Sequence, residues 1–129
     1  MGNTRILIAD DHQAVRQGLR WVLEKHAGWE VCGEAVDGWE AIQKARSLKP
    51  DVILLDIRMP NLTGLEAAPV IRKELPESEI LIISQQETAE ILPLALRAGA
   101  GGFVSKYAVD TDLVPAIENL VQGKTGFER

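Results

Sequence analysis

Short apolar runs alternate with segments of helical periodicity along the chain, and this alternation limits the fold more than any other feature. The runs cover residues 5–9, 30–35, 52–55, 80–84 and 102–105. A helix-like apolar face follows each run, as Val15, Leu19, Val22 and Leu23 follow the first. Such alternation favours right-handed crossovers between parallel strands, with helices on both faces of one sheet. The chain is therefore predicted to be an α/β protein with a doubly wound, five-stranded (βα)5 architecture.

The third run, residues 52–55, is continuously apolar and lies between the breakers Pro50 and Pro60. This pattern is typical of a short strand that is covered on both faces. Asp56 follows the run at once, and an unpaired charge in a dry place is costly. Asp56 therefore marks either the point where the strand meets water or a functional group, and the run alone leaves both interpretations open.

Helix boundaries are indicated less clearly than strand boundaries. Thr63 and Glu66 have the spacing of a capping box, which predicts that the third helix starts at Thr63, with Pro69 inside it. Pro93 and Pro115 fit best in the first turns of their helices, where a missing N–H has no cost. The fourth and fifth helices are therefore predicted to start near residues 90 and 112. The polar loop at residues 85–88 is predicted to be mobile.

Composition excludes several classes of protein. The chain has 129 residues, enough for one domain with a real core. A net charge of -5 argues against a general grip on nucleic acid, which needs a basic face. The apolar runs are too short to span a membrane, so a soluble cytoplasmic protein is expected. The single cysteine, Cys32, lies in an apolar stretch and is predicted to be a buried, inert thiol.

Polar residues stand at the ends of four of the predicted strands. Asp10 and Asp11 follow the first run, Asp56 the third, Ser84 ends the fourth, and Lys106 follows the fifth. The carboxyl ends of parallel strands lie along one edge, so these groups are predicted to meet there. Three clustered carboxylates repel one another and suit Mg²⁺, which leaves coordination positions for water or phosphate. The set therefore predicts phosphoryl transfer, with Asp56 as the nucleophile.

These residues, together with several local motifs, resemble the receiver domain of bacterial two-component response regulators. The motifs are Asp10-Asp11, Asp56-Ile57-Arg58-Met59-Pro60, Thr63-Gly64-Leu65-Glu66, Ser84, Ala98-Gly99-Ala100 and Phe103-Val104-Ser105-Lys106. The resemblance covers nearly the whole chain and is strongest to the LuxR-type subfamily, in which a helix-turn-helix domain follows the receiver. It implies a flavodoxin-like fold with strand order 2-1-3-4-5.

The resemblance also implies a role for each site residue. Asp56 corresponds to the phosphoacceptor, and Asp10 and Asp11 to the acidic pair, with Asp11 as the direct Mg²⁺ ligand. The remaining roles are the backbone carbonyl of Arg58 as a third Mg²⁺ ligand, Ser84 as the switch hydroxyl, Lys106 as the lysine beside the phosphoryl group, and Phe103 as the switch aromatic. Where the family commonly has a proline after the lysine, this chain has Tyr107, so a trans peptide bond is predicted.

The function expected from the resemblance is a phosphorylation-dependent switch rather than a turnover enzyme. Residues 1–122 would form the receiver, and residues 123–129 a linker or tail. A sensor histidine kinase would supply the phosphoryl group, and a homodimer would form through the fourth helix, fifth strand and fifth helix. DNA would be contacted only through an output domain outside this chain.

The alternatives are a stand-alone receiver or interaction module and a Mg²⁺-dependent aspartate phosphatase. The phosphatase is disfavoured by Arg58, because such enzymes usually carry a second acid there.

Four aromatic or imidazole residues receive structural interpretations. His12 is predicted to be a first-turn helix residue rather than a metal ligand, because Mg²⁺ prefers oxygen. His26 is predicted to be a solvated residue near a helix end. Trp21 and Trp39 lie off the main apolar faces and are predicted to cover the rim of the core.

Overall fold

All five predicted apolar runs form strands in a computed structural model, which describes residues 3–85 and 88–123. The elements, in chain order, are β1 (Thr4–Ala9), α1 (Gln13–Glu24), β2 (Trp29–Ala35), α2 (Gly38–Leu48), β3 (Val52–Asp56), α3 (Gly64–Glu74), β4 (Glu79–Ser84), α4 (Thr88–Arg97), β5 (Gly102–Ser105), a 3-10 turn (Lys106–Ala108) and α5 (Val109–Val121). The strands pair in parallel in the order β2-β1-β3-β4-β5. This confirms the predicted fold.

The central strand β3 is buried along its whole length because helices cover both faces of the sheet. Alternate residues of a strand point to opposite faces. Ile53 and Leu55 accordingly join one core cluster, with apolar residues of α2, α3 and α4. Val52 and Leu54 join a second cluster, with residues of α1 and α5. The two clusters hold the sheet from both sides and make its carboxyl edge a rigid platform.

The third helix begins as predicted, and the fourth and fifth do not. Thr63 Oγ1 accepts a hydrogen bond from the Glu66 N–H at 3.2 Å, and Glu66 Oε1 accepts one from the Thr63 N–H at 3.0 Å. The predicted starts near residues 90 and 112 are wrong, because α4 begins at Thr88 and α5 at Val109. Pro93 and Pro115 therefore lie in second turns. A proline has no N–H, so the carbonyl four residues before it receives no helical hydrogen bond. Both prolines are on the exposed side of their helices, where water can bind that carbonyl instead.

Several surface predictions need correction. Trp21 and Trp39 do not cover the rim of the core, since they are 65% and 56% exposed. The ammonium group of Lys25 makes a cation–π contact with the exposed Trp21 ring, at 3.6 Å from the ring centroid. His26 is half-buried rather than solvated, because its ring stacks on Trp29 at 3.7 Å. Cys32 is only half-buried, although burial raises the pKa of its thiol as expected for an unreactive group.

Two further predictions touch the ends and loops of the chain. The Lys106–Tyr107 peptide bond is trans, as predicted. The predicted tail lies, from residue 124 onward, outside the described residues, and so do residues 86 and 87 of the loop that was predicted to be mobile. Over residues 3–85 and 88–123, no helix combines the length and hydrophobicity needed to cross a membrane.

Candidate functional site

The carboxyl edge of the sheet brings the predicted site residues together. Asp10 follows β1 directly, Asp56 and Ser84 are the last residues of β3 and β4, and Lys106 follows β5. Strands β1, β3, β4 and β5 are neighbours in the sheet, so these four ends are adjacent. A cleft of about 220 Å³ opens there, lined by His12, Asp56, Arg58, Ser84, Gln85 and Lys106.

Lys106 connects two carboxylates that come from different strands. Its Nζ lies 2.7 Å from Asp10 Oδ2 and 3.1 Å from Asp56 Oδ1. The Lys106 side chain is only 10% exposed, and both aspartates are buried. In such surroundings the Coulomb attraction is stronger than at the surface, and loss of the cation would leave two buried charges uncompensated. Lys106 therefore compensates the negative charge that β1 and β3 bring to one point.

The protonation equilibria of this group are shifted in directions that follow from burial and charge. Burial raises the pKa of Asp56 to about 6, with a further rise from the charge of Asp10, although Lys106 opposes the shift. Burial lowers the pKa of Lys106, but its hydrogen bond with Asp10 and the attraction of Asp56 outweigh this, and the net pKa is raised. At neutral pH, Asp56 is therefore mostly ionised and Lys106 is protonated.

Asp10 has every one of its polar groups engaged within the protein. Its N–H donates to the Ala35 carbonyl at 3.0 Å, and its carbonyl accepts from Arg16 Nη1 at 2.8 Å. Its Oδ1 accepts from the His12 N–H at 2.9 Å, and its Oδ2 pairs with Lys106. Asp10 is thus held in one orientation at the end of β1.

Asp11 differs from its neighbour because no lysine or arginine of the described residues pairs with it, whereas Asp10 pairs with Lys106. Asp11 Oδ1 accepts no hydrogen bond from any described residue, and His12 Nδ1 approaches it to 3.2 Å. Such an atom is expected to have a partner that supplies positive charge or a proton. Asp10, Asp11 and His12 also have their ligand atoms within 4.8 Å of one another. The carboxylate oxygens of Asp10, Asp11 and Asp56 at this edge of the sheet fit a hard divalent cation such as Mg²⁺.

His12 occupies a different position from the one predicted. It is the N-cap residue of α1 rather than a member of its first turn, and its side chain forms no capping hydrogen bond. The imidazole instead stands over the acidic pair, with Nδ1 at 3.4 Å from Asp10 Oδ1. It is largely exposed and lines the cleft.

The loop after β3 is shaped by hydrogen bonds on both sides of Arg58. The Gly64 N–H donates to the Ile57 carbonyl at 3.0 Å, closing the loop on itself. Asn61 adopts a left-handed conformation (φ 69°) and donates to Asp37 Oδ2 at 2.7 Å. Asp37 is in turn the N-cap of α2, so the loop is anchored to that helix. Arg58 lies in this anchored loop, two residues after Asp56, where its side chain lines the cleft.

Ser84 and Phe103 have different relations to the cleft. Ser84 is 1% exposed and lines the cleft beside Asp56. Phe103 pairs with Ile82 in the sheet and packs, half-buried, against the core cluster that contains α4. Phe103 does not line the cleft, but it lies on the strand that leads to Lys106 and contacts the cluster behind α4.

Arg16 is a site residue that the sequence pattern did not suggest. Its Nε donates to Glu34 Oε1 at 2.7 Å, while its Nη1 donates to the Asp10 carbonyl. No signal in the sequence could have shown this, because one partner is a backbone carbonyl and the other lies 18 residues away.

Comparison with known proteins decides the family. A family model for the response regulator receiver domain matches residues 6–118. The chain belongs to the response regulator receiver domain family. This receiver domain is 42% identical over 122 residues to the oxygen regulatory protein NreC of Staphylococcus aureus (strain JH9), covering 94% of this chain and 56% of that protein. It is 39% identical over 123 residues to the uncharacterized transcriptional regulatory protein YxjL of Bacillus subtilis (strain 168), covering 95% of this chain and 56% of that protein.

A solved structure supports the same assignment. The crystal structure of a LuxR-family two-component response regulator from Aurantimonas sp. SI85-9A1 superimposes with a TM-score of 0.92 at 34% identity, over 98% of this chain and 90% of that one. The family model, the two relatives and the solved structure confirm the family resemblance seen in the sequence. The receiver domain spans about half the length of the curated relatives that it matches.

Proposed function

We propose that this receiver domain is a phosphorylation-dependent switch that accepts a phosphoryl group on Asp56 from a sensor histidine kinase. The observation that carries the proposal is the position of Lys106 Nζ between Asp10 and Asp56, next to Asp11, whose buried Oδ1 accepts no hydrogen bond from the described residues. A nucleophile, a cation and free metal-ligand capacity at one point are the parts that phosphoryl transfer needs.

The proposed chemical step is phosphoryl transfer from a phosphohistidine of the kinase to Asp56, and it involves no change of oxidation state. A carboxylate oxygen of Asp56 attacks the phosphorus of a phosphohistidine, and a P–O bond forms. The P–N bond breaks, and its electron pair returns to the imidazole of the kinase. Asp56 must be ionised to attack, and a pKa of about 6 leaves it mostly ionised at neutral pH. Lys106 is placed to pair with the charge that accumulates on the acyl phosphate.

The residues proposed to hold Mg²⁺ are Asp11, Asp56 and the backbone carbonyl of Arg58, with Asp10 orienting the group. When bound, Mg²⁺ neutralises negative charge on the carboxylates and on the phosphoryl oxygens. Asp10 and the Arg58 loop are fixed by hydrogen bonds, so the chain itself provides the orientation. The site is thereby preorganised around a hard cation.

The proposed readout runs through Ser84, Lys106 and Phe103 to the surface of α4, β5 and α5. A phosphoryl group on Asp56 adds charge and acceptor oxygens beside Ser84 and Lys106. Displacement of β5 would carry Phe103 with it, because Phe103 is part of that strand. The movement would reach α4 because Phe103 packs on the core cluster behind that helix. Leu94 and Leu96 on α4 and Val121 on α5 are exposed apolar residues, and we place the homodimer contact on this α4–β5–α5 face for that reason.

The proposed output is transcriptional control through a DNA-binding domain that is not part of this chain. Two observations support it. The similar solved structure is of a LuxR-family response regulator, and one similar relative is called a transcriptional regulatory protein. The net charge of -5 disfavours direct DNA binding by the receiver itself. A cytoplasmic location follows from the proposed role.

Incubation of the chain with a small acyl phosphate, with and without Mg²⁺, tests the proposal. Mass spectrometry should show one added phosphoryl group only with Mg²⁺, and Asp56→Asn should abolish it. The matched control is Asp51→Asn, which changes a carboxylate at the opposite edge of the sheet, where Asp51 accepts from the Arg5 N–H. Labelling of Asp56→Asn at the wild-type rate would rule out the assignment. Sustained turnover of a phosphomonoester would instead indicate a phosphatase, and a chain that binds no Mg²⁺ would indicate an interaction module.

A further inference from the structure

We infer that Arg16 is a positioning residue for the metal-binding acidic pair, acting through the Asp10 carbonyl and held in place by Glu34. The inference rests on the proposed function, because it assigns a role toward the same cation. Arg16 lies in α1, outside the cleft lining, and it contacts neither the phosphoacceptor nor Lys106 directly.

The contacts of Arg16 define its geometry at two points. Nε donates to Glu34 Oε1 at 2.7 Å, and Nη1 donates to the Asp10 carbonyl at 2.8 Å. The guanidinium is planar, so fixing two of its nitrogens fixes the whole group. The Arg16 side chain is only 13% exposed, and the contact with Glu34 is a charge-assisted pair. The hydrogen bond with Arg16 lowers the pKa of Glu34, and Glu34 therefore stays ionised at neutral pH.

The Asp10 carbonyl belongs to the peptide group that joins Asp10 to Asp11. Holding this carbonyl restrains the plane of that peptide, and with it the positions of Asp11 N and Cα from which the Asp11 side chain starts. The Asp10 N–H is already held by the Ala35 carbonyl. Arg16 supplies the remaining backbone restraint at the point where β1 ends and the metal-binding acid follows.

Glu34 also gives the chain a matched control. Its other oxygen, Oε2, accepts from Arg20 Nε at 3.0 Å and Nη2 at 2.8 Å. Arg16 and Arg20 are therefore arginines of the same helix that pair with the same carboxylate, but only Arg16 also reaches Asp10. A purely structural role for the cluster predicts similar effects of removing either arginine. A positioning role predicts that only the loss of Arg16 changes cation binding.

The test is calorimetric titration of the full chain with Mg²⁺ at about pH 8, where Asp56 is ionised. Arg16→Met should weaken Mg²⁺ binding about tenfold, in the range known for residues that orient metal ligands. Arg20→Met should change the affinity by less than about twofold. Thermal unfolding of both variants measures the structural contribution separately.

Glu34→Gln provides a second route if Arg16→Met does not fold. It keeps the shape of the side chain, removes the charge that holds the guanidinium, and should weaken Mg²⁺ binding by about two- to fivefold. Equal Mg²⁺ affinities in the Arg16→Met and Arg20→Met variants would overturn the positioning role. If Arg16→Met does not fold, a Glu34→Gln affinity no weaker than that of Arg20→Met would overturn it.

Asp11→Asn separates this inference from the proposed function. If wild type binds Mg²⁺ and Asp11→Asn does not, the proposed site holds, and the arginine variants decide the role of Arg16. If wild type takes up no Mg²⁺, the proposed function fails and the positioning role fails with it.

Discussion

A Cβ atom placed on Gly64 would lie 2.1 Å from the carbonyl oxygen of Asp56. The first residue of α3 therefore presses against the backbone of the proposed phosphoacceptor, and only a residue without a side chain fits there. The Gly64 N–H reaches the Ile57 carbonyl at 3.0 Å, so the contact also closes the loop that carries Arg58. The start of α3 and the position of Asp56 are consequently set by the same contact.

Gly64→Ala should lower both stability and the rate of phosphorylation. The added methyl group must displace backbone atoms, which typically costs about 1–3 kcal/mol of unfolding free energy. Urea denaturation measures this loss, and labelling with a small acyl phosphate measures the rate. Gly18→Ala is the control, because Gly18 lies in α1 with nothing within 4 Å of its added Cβ. That change should raise stability by about 0.5–1 kcal/mol. Equal stabilities of the two variants would contradict the interpretation.

Asp56 should make stability depend on pH between about 4 and 7 in the absence of Mg²⁺. Its pKa in the folded protein is raised from 3.8 to about 6, so the folded state holds the proton more tightly than the unfolded state. The stability that this proton confers is present below about pH 4 and is lost as pH rises through about 6. Asp56→Asn should thus be more stable than wild type at neutral pH by up to about 3 kcal/mol.

Urea denaturation across this pH range tests the prediction. The difference between Asp56→Asn and wild type should fall to about 0.5 kcal/mol near pH 4 and disappear below about pH 3, where wild-type Asp56 is protonated in both states. Added Mg²⁺ should shrink the difference at neutral pH, because the cation favours the ionised carboxylate. A difference that stays constant over the whole range would show that burial does not raise the pKa of Asp56.

Lys106→Met should destabilise the protein because it leaves Asp10 and Asp56 facing each other without a cation. Removing one partner of a buried charge group typically costs about 3–5 kcal/mol. The loss should be smaller below about pH 5, where Asp56 can take up a proton instead. Combining Lys106→Met with Asp56→Asn should recover part of the loss, since only one buried carboxylate remains. If Lys106→Met costs the same in both backgrounds, the contact with Asp56 contributes nothing to stability.

Ser84→Ala should leave Mg²⁺-dependent phosphorylation of Asp56 in place and weaken the dimerisation that follows it. The hydroxyl is proposed to bind a phosphoryl oxygen, and a hydrogen bond to a charged group is worth about 1.5–3 kcal/mol. Phosphorylated dimers should therefore dissociate at concentrations about tenfold or more higher than in wild type. Light scattering after size-exclusion chromatography measures this.

Ser78→Ala is the matched control for that experiment, because Ser78 is a buried serine just before β4, at the other end of the strand. Its hydroxyl donates to the Pro50 carbonyl at 2.6 Å, so its loss should cost about 1 kcal/mol of stability. Dimerisation of the phosphorylated control should match wild type. Unchanged dimerisation of the phosphorylated Ser84→Ala variant would remove Ser84 from the proposed switch.

The strands were predictable almost to the residue, and β3 shows why. The predicted run 52–55 became Val52–Asp56, because a short, continuously apolar segment with β-branched residues between breakers favours a fully covered strand. The meeting of strand ends at one edge then follows from parallel pairing alone. The proximity of Asp10, Asp56 and Lys106 was predictable for this reason, although their distances were not.

Features that depend on tertiary contacts were not predictable. Pro93 and Pro115 suggested later helix starts, but exposed prolines are tolerated in second turns when packing on the opposite face holds the helix. Trp21 was predicted to cover the rim of the core, yet it lies at the surface, where its ring makes a cation–π contact with Lys25. The Arg16 contacts required knowledge of how β2 places Glu34 beside α1.

The neighbouring acids Asp10 and Asp11 have different contacts, so we expect Asp10 to matter more for the folded structure and Asp11 more for cation binding. The Asp10 carboxylate accepts from the His12 N–H at the start of α1 and pairs with Lys106, so exchanging this side chain would disturb both contacts together. Asp11 Oδ1 has only the His12 imidazole near it, at 3.2 Å, and no lysine or arginine of the described residues pairs with it. To alter cation binding at the proposed site, an engineer would therefore vary Asp11 and keep the Asp10 side chain, although the two acids are adjacent in the chain.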